Sequence, residues 1–407
     1  MKYAILKENT LEETMFTRTM RPEEAARLDL IRAVAFESPY EPPKADAEPH
    51  PDPMTWWVSG EAEELYGCIG VLPAQARFDG HIVPIGGIGG VATLPQYRRK
   101  GAIRACMNAA LRDLYHTGAV FSALYPFSRA YYRKFGYEDG PSVSTWTLPF
   151  DALRLPETGG SMELILPESD PAPVLEAYHA SMSRWNLSFA PTHFFKHLTR
   201  GNWMKDCRYL YLWRDETHAP AGAILFAKRD GVMDCTTSFA LPNCLLFRDI
   251  RALSALLRFA QSFAADYSAI RFDVPQGVRI DSLIGEGNAA QCAVKYNGMA
   301  RLVNVRRALE LCRTCGEGSA VIAVSDSIIP ENAAAWQVEF NPAGDNLVRP
   351  ADALPDVELS AGVLAQLLLG YRTADDLPMM PEVRVHNPNA PLNRIFFDKP
   401  CHLLDLF

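Results

Sequence analysis

A basic, glycine-containing segment, Arg98-Arg99-Lys100-Gly101, follows an apolar stretch and precedes a helical pattern. The apolar positions after it recur at helical spacing, at Ile103, Met107, Ala110, Leu111 and Leu114. The first amides of a helix lack intrahelical partners and carry the positive end of the helix dipole. This junction therefore suits the capture of an anion such as a pyrophosphate, with a solvated helix start as the alternative interpretation.

The basic segment and a second motif about thirty residues later together resemble the GNAT acetyltransferases. The first resembles motif A, in which Arg-x-x-Gly opens a helix and cradles the pyrophosphate of acetyl-coenzyme A (acetyl-CoA). The second, Tyr131-Tyr132-Arg133-Lys134-Phe135-Gly136-Tyr137, resembles motif B. In the enhanced intracellular survival (Eis) branch an isoleucine at position 103 is usual, and the resemblance to that branch covers the full length.

The resemblance implies an α+β fold with tandem GNAT-fold domains and a sterol-carrier-protein-like α+β domain. It divides the chain into a catalytic domain that binds acetyl-CoA (1–149), a second GNAT-like domain (150–298) and a sterol-carrier-like domain that donates its C-terminal carboxylate (299–407). Between the predicted strand Cys235–Phe239 and the helix from Arg251 there is no Arg-x-x-Gly loop, so no coenzyme is expected in the second domain.

Hydrophobic periodicity predicts the elements that position these motifs. In the first domain the pattern indicates a helix after Pro22, a flap at 38–53, and a meander of strands with a turn at Asp79-Gly80. The meander leads into the basic segment and a helix over 101–117. In the third domain a helix begins at the capping residue Ser360 and ends at Gly370.

The resemblance assigns roles to particular residues of the first domain. The oxyanion of acyl transfer would be held by backbone at Val91, Ala92 and Thr93. The pantetheine would contact Phe127 and Ser128. The residues around the pyrophosphate would be Arg99, Lys100, Gly101, Ala102, Ile103 and Arg104.

Tyr132 corresponds to the family's general acid because it lies three residues before Phe135. A phenol with a pKa near ~10 is protonated at neutral pH and can donate to a thiolate. The neighbouring Tyr131 is an alternative acid, and a packing role is the alternative for either ring.

The last residue, Phe407, is the second position to which the resemblance assigns chemistry. The Eis branch uses its C-terminal carboxylate as the proton acceptor, and a terminal carboxylate with a pKa of about 3.3–3.7 is ionised at neutral pH. The apolar residues Leu403, Leu404 and Leu406 favour a packed end, although most chain ends fray. Asp405 could share the duty of the carboxylate.

Composition excludes several other classes. The net charge of −8 argues against a general nucleic-acid binder and mildly favours cationic partners. No apolar run is long enough to span a bilayer and the N-terminus has no signal-peptide core, so a cytoplasmic protein without a membrane partner is expected. Cys312 with Cys315, and His193 with His197, lack further ligands at metal-binding spacing, so no metal is expected.

The sequence thus predicts direct transfer of acetyl from acetyl-CoA to a primary amine, on an aminoglycoside-like polyamine or a lysine side chain. Relatives in the Eis branch assemble as hexamers, so a homo-oligomer is expected. The alternatives are a non-catalytic lipid or sterol carrier, in which the GNAT halves are scaffold, and an acyl-CoA-binding sensor.

Overall fold

The chain folds into three β-sheets flanked by helices. The computed structural model describes residues 15–42, 52–140, 142–189, 202–238, 242–285, 289–405 and 407. Over these residues the sheets contain seven, eight and five strands. This mixture of helix and antiparallel-rich sheet confirms the predicted α+β class. In the described part of the chain no helix is long and apolar enough to cross a membrane.

The first sheet carries the predicted pyrophosphate segment. Its strands are β1 (Met15–Thr19), β2 (Thr55–Glu61), β3 (Glu64–Phe78), β4 (His81–Thr93), β5 (Phe121–Leu124), β6 (Glu138–Asp139) and, much later in the chain, β15 (Met299–Leu302). The accompanying helices are α1 (Ala25–Ala35), α2 (Ala102–His116) and α3 (Arg129–Arg133). The strand order is β1-β2-β3-β4-β5-β15-β6, and only β4 and β5 are parallel. A parallel pair needs a crossover, which α2 supplies.

The second sheet repeats this pattern of pairing. Its strands are β7 (Ser142–Pro149), β8 (Ser161–Ile165), β9 (Arg208–Arg214), β10 (Pro220–Arg229), β11 (Val232–Asp234), β12 (Cys244–Phe247), β13 (Ala269–Pro275) and β14 (Gln291–Tyr296), with helices α4 (Ala172–Met182) and α5 (Ile250–Gln261). From β8 the order is β8-β9-β10-β11-β13-β7-β14, with β12 also on β10. As in the first sheet, three antiparallel pairs precede one parallel pair and two more antiparallel pairs. This repetition is the tandem arrangement expected from the sequence.

The two sheets exchange strands near the predicted domain boundaries. β7, which the division at 149 assigns to the catalytic domain, pairs with β13 and β14 of the second sheet. β15, which the division at 298 assigns to the third domain, pairs with β5 and β6 of the first sheet. Each of these two strands therefore pairs in the sheet of a neighbouring domain. A period-two pattern identifies a strand but not its partners, so the sequence did not indicate this pairing.

The third sheet packs directly on the first. It comprises β16 (Gly318–Ser325), β17 (Ala335–Phe340), β18 (Leu347–Pro350), β19 (Val357–Ser360) and β20 (Arg384–Val385), with helices α6 (Val305–Leu311) and α7 (Ala361–Leu368). As predicted, Ser360 caps the later helix by accepting a hydrogen bond from the amide of Val363. One core cluster joins Phe78 and Phe121 of the first sheet to Leu364 of α7. The third domain is thus fixed to the catalytic one by buried apolar surface.

Local predictions differ from the structure in a few places. The strand expected at 235–239 is instead β11, at Val232–Asp234, because the Asp234 side chain accepts hydrogen bonds from Thr236 and turns the chain. Residue 239 lies outside the described residues. The predicted turn at Asp79-Gly80 joins β3 and β4 as expected. The flap at 38–53 lies largely outside the described residues, and so does the pair of histidines at 193 and 197.

Candidate active site

The strand β4 is distorted at the residues predicted to hold the oxyanion. Gly70 of β3 lies opposite Gly89, whereas Cys68 lies opposite Ala92, so β4 contains one extra residue between these pairs. Gly90, with φ of +57°, adopts the left-handed conformation that such a bulge uses. A Cβ on Gly90 would also meet the ring of Trp56 at 2.4 Å. A bulge of this kind turns backbone amides away from the regular ladder.

Beyond the bulge, β4 has an open edge. β5 pairs only with Ile85–Ile88 and ends at Leu124, whereas β4 continues to Thr93 along β3. Among the described residues no strand pairs with Gly89–Thr93 on the side of β5, which leaves a gap there. The backbone of Val91–Thr93 borders this gap, and those of its amides that point away from β3 can donate a hydrogen bond to an acyl oxygen.

The segment after β4 forms an uncapped helix start. Gly101 is the N-cap of α2 with φ of +93°, and no described side chain caps the helix. Apart from its chain neighbours and the backbone of its own helix, no described atom lies within 4 Å of the place where a Cβ on Gly101 would stand. Arg99 has a positive φ of 68°, and Arg98, Arg99, Lys100 and Arg104 are exposed. The space beside Gly101 leaves room for a phosphate group, and the first amides of α2 and these cations supply positive charge.

The cations of the segment do not all have the same surroundings. The Lys100 ammonium lies 5.0 Å from the ring of Tyr66 and 5.2 Å from that of Tyr97. These two rings stack on each other with centroids 4.0 Å apart. A cation over aromatic faces is held in place, so Lys100 is directed more firmly than a free surface lysine.

The helix α3 brings the predicted pantetheine residues next to the tyrosines. Ser128 is the N-cap of α3 and accepts a hydrogen bond from the amide of Tyr131, so it has a structural task of its own. The Phe127 ring is 72% exposed. It contacts Tyr131 and Tyr132 at centroid distances of 5.4 and 5.3 Å. A large exposed ring beside two tyrosines is a surface that a ligand could cover.

Tyr132 is the more deeply placed of the two candidate acids. It is 2% exposed, whereas Tyr131 is only partly buried. Tyr132 belongs to the buried cluster that includes Ile88 of β4 and Ile103 of α2, and Tyr131 packs against this cluster. Burial, with smaller contributions from Tyr131 and Tyr137, raises the pKa of the Tyr132 phenol well above its ordinary value. Burial raises the pKa of Tyr131 as well. Each phenol thus remains protonated at neutral pH.

Phe407 reaches the first sheet from the far end of the chain. Its carboxyl carbon and an oxygen lie 3.2 Å from the place where a Cβ on Gly89 would stand. The terminal carboxyl group therefore borders β4 at the residue where the bulge begins. Its ring lies over Gly87 and stacks on Phe189, with centroids 5.4 Å apart. The chain end is packed rather than frayed.

Sequence reasoning missed the residues that guide this tail. Lys399 pairs with Asp79 at 2.6 Å in the interior. Asn186 links the second domain to the tail and to Asp79, because its backbone amide donates to the carbonyl of Pro400 and its side chain donates to the Asp79 carboxylate. Asp405 is fully buried. The sequence indicates Asp405 as a group that could share the duty of the terminal carboxylate, but its burial keeps its side chain inside the protein.

Arg301 is a second residue of this kind. It lies fully buried in β15 and donates to the backbone carbonyl of Phe135 at 2.6 Å and to Asp326 Oδ2 at 2.5 Å. It thereby holds the turn that follows Tyr132. An arginine inside the apolar run Met299-Ala300-Arg301-Leu302-Val303 was the available signal.

The two cysteines of the third domain have different surroundings. Burial raises the pKa of the Cys312 thiol to about 12, and its Sγ donates to the carbonyl of Leu309. Cys315 is exposed. Over the described ranges, no group of three or more His, Cys, Asp or Glu side chains is placed to hold a metal ion.

Comparisons with known proteins identify two domain families in this chain. Residues 17–140 match the family described as acetyltransferase (GNAT) domain, and residues 305–403 match the sterol carrier protein domain. The first match contains all the predicted site residues except Phe407. The chain is an acyltransferase with a GNAT fold.

Relatives extend the likeness over most of the chain. It is 25% identical over 325 residues to an uncharacterized N-acetyltransferase of Streptomyces avermitilis, covering 76% of this chain and 78% of the relative. It is 24% identical over 351 residues to N-acetyltransferase Eis of Mycobacterium tuberculosis, covering 80% and 81%. With an acetyltransferase (GNAT) domain followed by a sterol carrier protein domain, the chain resembles the Eis N-acetyltransferases.

Solved structures share the whole fold. A probable N-acyltransferase of Enterococcus faecalis superposes with a TM-score of 0.80 at 21% identity, over 97% of this chain and 100% of that one. Eis1 of Mycobacterium abscessus superposes with a TM-score of 0.79 at 19% identity and the same coverage. The tandem arrangement with a third domain is therefore a known architecture.

Proposed function

We propose that the protein transfers an acetyl group from acetyl-CoA directly to a primary amine in a ternary complex. The observation that carries the proposal is the position of the Phe407 carboxyl group beside Gly89 on the bulged strand β4. A terminal carboxylate there would face the same gap as the oxyanion amides. A direct transfer needs a base and an oxyanion donor within reach of one carbonyl carbon.

Acetyl-CoA is the co-substrate that a GNAT domain implies, and the residues at the start of α2 fit it. The empty space beside Gly101 leaves room for a pyrophosphate against the amides of Ala102, Ile103 and Arg104. Arg99 and Lys100 add positive charge. Phe127 and Ser128 would border the pantetheine arm, and Val91, Ala92 and Thr93 would offer amides to the thioester oxygen.

The proposed reaction balances with the groups present. The amine nitrogen attacks the thioester carbon, and the negative charge that develops on the carbonyl oxygen is stabilised by the backbone of Val91–Thr93. The Phe407 carboxylate takes a proton from the amine, directly or through water. The C–S bond breaks, and the Tyr132 hydroxyl gives its proton to the departing thiolate. An amide and free coenzyme A result, and the enzyme is restored when the Phe407 carboxyl group loses its proton to solvent and the Tyr132 phenolate takes one up.

The proposed acceptor is a small polyamine, such as an aminoglycoside, or a lysine side chain. The net charge of −8 favours a cationic acceptor through long-range attraction. We further propose a cytoplasmic homo-oligomer, a hexamer by the family resemblance, that binds neither nucleic acid nor membrane.

Release of thiol from acetyl-CoA, measured against a panel of aminoglycosides and lysine peptides, tests the reaction. Tyr132→Phe should lower the rate by roughly 10²–10⁴-fold, because it removes the general acid. The melting temperature should still rise with acetyl-CoA in this variant, since the pyrophosphate contacts remain. Tyr131→Phe is the matched control, because it removes the neighbouring hydroxyl from the same helix.

Three outcomes separate the alternatives. Loss of thiol release in Tyr131→Phe with full release in Tyr132→Phe would move the acid to Tyr131. A melting temperature that rises with fatty acyl ligands but not with acetyl-CoA would contradict the acetyl transfer proposed here and support a carrier. Binding of acetyl-CoA without turnover of any amine would support a sensor.

A further inference from the structure

Hydrogen bonds from three described residues hold Asp405, two positions before Phe407. Asp405 Oδ2 accepts from the Tyr178 hydroxyl at 2.8 Å and from the amide of Phe189 at 3.1 Å. The backbone carbonyl of Asp405 accepts from the Tyr125 hydroxyl at 2.9 Å. Tyr178 and Phe189 belong to the second domain, and Tyr125 follows β5. The tail is thus fixed from two domains at one residue, and we refer to Asp405, Tyr178 and Tyr125 as the tail clamp.

A slot lined by glycine and aromatic rings receives the last side chain. Phe189 stacks on Phe407 with an interplanar angle of 11°, and Tyr125 lies 5.5 Å from it. On the strand side, a Cβ on Gly87 would come within 2.8 Å of the Phe407 ring. That separation is well below van der Waals contact, so the ring occupies space that exists only because residue 87 is glycine.

We propose that the tail clamp positions the Phe407 carboxylate, and that the slot over Gly87 recognises an aromatic ring joined by a short chain to a carboxylate. The native ligand of the slot is the chain's own C-terminus. The inference rests on the proposed function, in which this carboxylate takes the proton from the amine. It adds the residues that set where the carboxylate stands.

The buried environment explains why Asp405 acts on the tail and not on the acceptor. The side chain is fully buried and its Oδ2 atom already has two donors, so it is engaged inside the protein. Burial, followed by the nearby Asp405 carboxylate, raises the pKa of the Tyr178 phenol, which keeps it a hydrogen-bond donor at neutral pH. Asp405 is therefore a positioning residue, and the terminal carboxylate two residues later is left to serve as the base.

The clamp is tested by removing one hydrogen-bond donor, in Tyr178→Phe, and the charge of the acceptor, in Asp405→Asn. Tyr178→Phe and Asp405→Asn should each lower kcat about 10- to 100-fold, because a displacement near 1 Å of a catalytic group can cost that much. The KM for acetyl-CoA and the rise in melting temperature with acetyl-CoA should be unchanged, since the start of α2 is untouched. Tyr211→Phe is the matched control: this tyrosine lies on β9 of the same domain and packs against Phe226 and Phe259. A wild-type kcat in Tyr178→Phe would overturn the clamp.

The slot is tested by chemical rescue. Deletion of Phe407 should abolish thiol release, and added 3-phenylpropionate, which supplies the missing ring and carboxylate, should restore part of it with saturation. Acetate lacks the ring and 3-phenylpropanol lacks the carboxylate, so neither should restore activity. Gly87→Ala in the shortened chain should abolish the rescue, because the new methyl group occupies the place of the ring. Equal rescue by acetate, or rescue unaffected by Gly87→Ala, would overturn the slot.

These results also distinguish a failure of the clamp and the slot from a failure of the proposed acetyl transfer. Unchanged thiol release after deletion of Phe407 would refute the proposed role of the carboxylate as proton acceptor. Loss of thiol release on deletion, together with wild-type kcat in Tyr178→Phe and no saturable rescue, would refute only the clamp and the slot.

Discussion

Replacement of Lys399 by methionine is expected to loosen the tail where it leaves the third domain. The Lys399 ammonium lies 2.6 Å from Asp79 Oδ2, and the side chains are 0% and 2% exposed. Asp79 lies in the turn between β3 and β4 and also accepts from the amide of Arg313 and the side chain of Asn186. Lys399→Met removes the cation and leaves this carboxylate buried.

The expected cost follows from that burial. Breaking a buried ion pair on one side typically costs 3–5 kcal/mol, because the remaining charge is uncompensated. Asp79 keeps two hydrogen bonds that partly compensate its charge, so the expected loss in the free energy of unfolding is at the lower end, about 3 kcal/mol. For a domain of this size, such a loss lowers the melting temperature by roughly 6 to 12 °C.

A double-mutant cycle with Asp79→Asn measures the pair itself by urea unfolding. The double variant should be clearly more stable than the sum of the single effects predicts, with a coupling of about 2 kcal/mol or more. The exposed pair Arg349 and Glu339 provides the control, since Arg349→Met should cost less than about 1 kcal/mol. If Lys399→Met costs no more than Arg349→Met, the reasoning that burial makes this pair matter is wrong.

Three further changes have expected outcomes. Gly101→Ala should raise the KM for acetyl-CoA about tenfold, because it strains a left-handed residue and fills the space beside the helix start; steady-state kinetics measures it. Arg301→Met should cost about 3–5 kcal/mol in urea unfolding, since Asp326 stays buried without its cation. Burial lowers the pKa of His402 from 6.5 to about 4. Between these pH values only the unfolded chain takes up the proton, so the free energy of unfolding falls as the pH falls, by about 3 kcal/mol in total. Melting temperatures from pH 7 to pH 4 should therefore fall less in His402→Gln, and equal slopes would contradict the assignment.

The sequence could predict what depends on local pattern. The apolar spacing after Gly101 gave α2, and the buried residues of that helix include Ile103, Met107 and Leu114 as expected. The capping serine at 360 was equally predictable, because a cap and its helix are adjacent in the chain. Family resemblance brought Tyr132 and the strand before Gly101 into one site, and the structure places them in one cluster.

The remainder depends on contacts between distant residues, which a single sequence does not encode locally. Nothing near Ser142 or Met299 indicates that β7 and β15 join the sheets of neighbouring domains. Asp405 and Tyr178 are 227 positions apart, so their hydrogen bond has no spacing signature. The sequence does not indicate why residue 87 is a glycine; in the structure the Phe407 ring occupies the space that a side chain on residue 87 would need.

A crystal structure of the full chain with acetyl-CoA tests the central claim most directly. The account predicts phosphate oxygens on the amides of Ala102, Ile103 and Arg104, the thioester oxygen against Val91–Thr93, and the sulfur within hydrogen-bonding reach of the Tyr132 hydroxyl. The Phe407 carboxylate should stand on the acceptor side of the same carbonyl carbon. Coenzyme bound away from α2, or a thioester beyond the reach of both Tyr132 and Phe407, would contradict it.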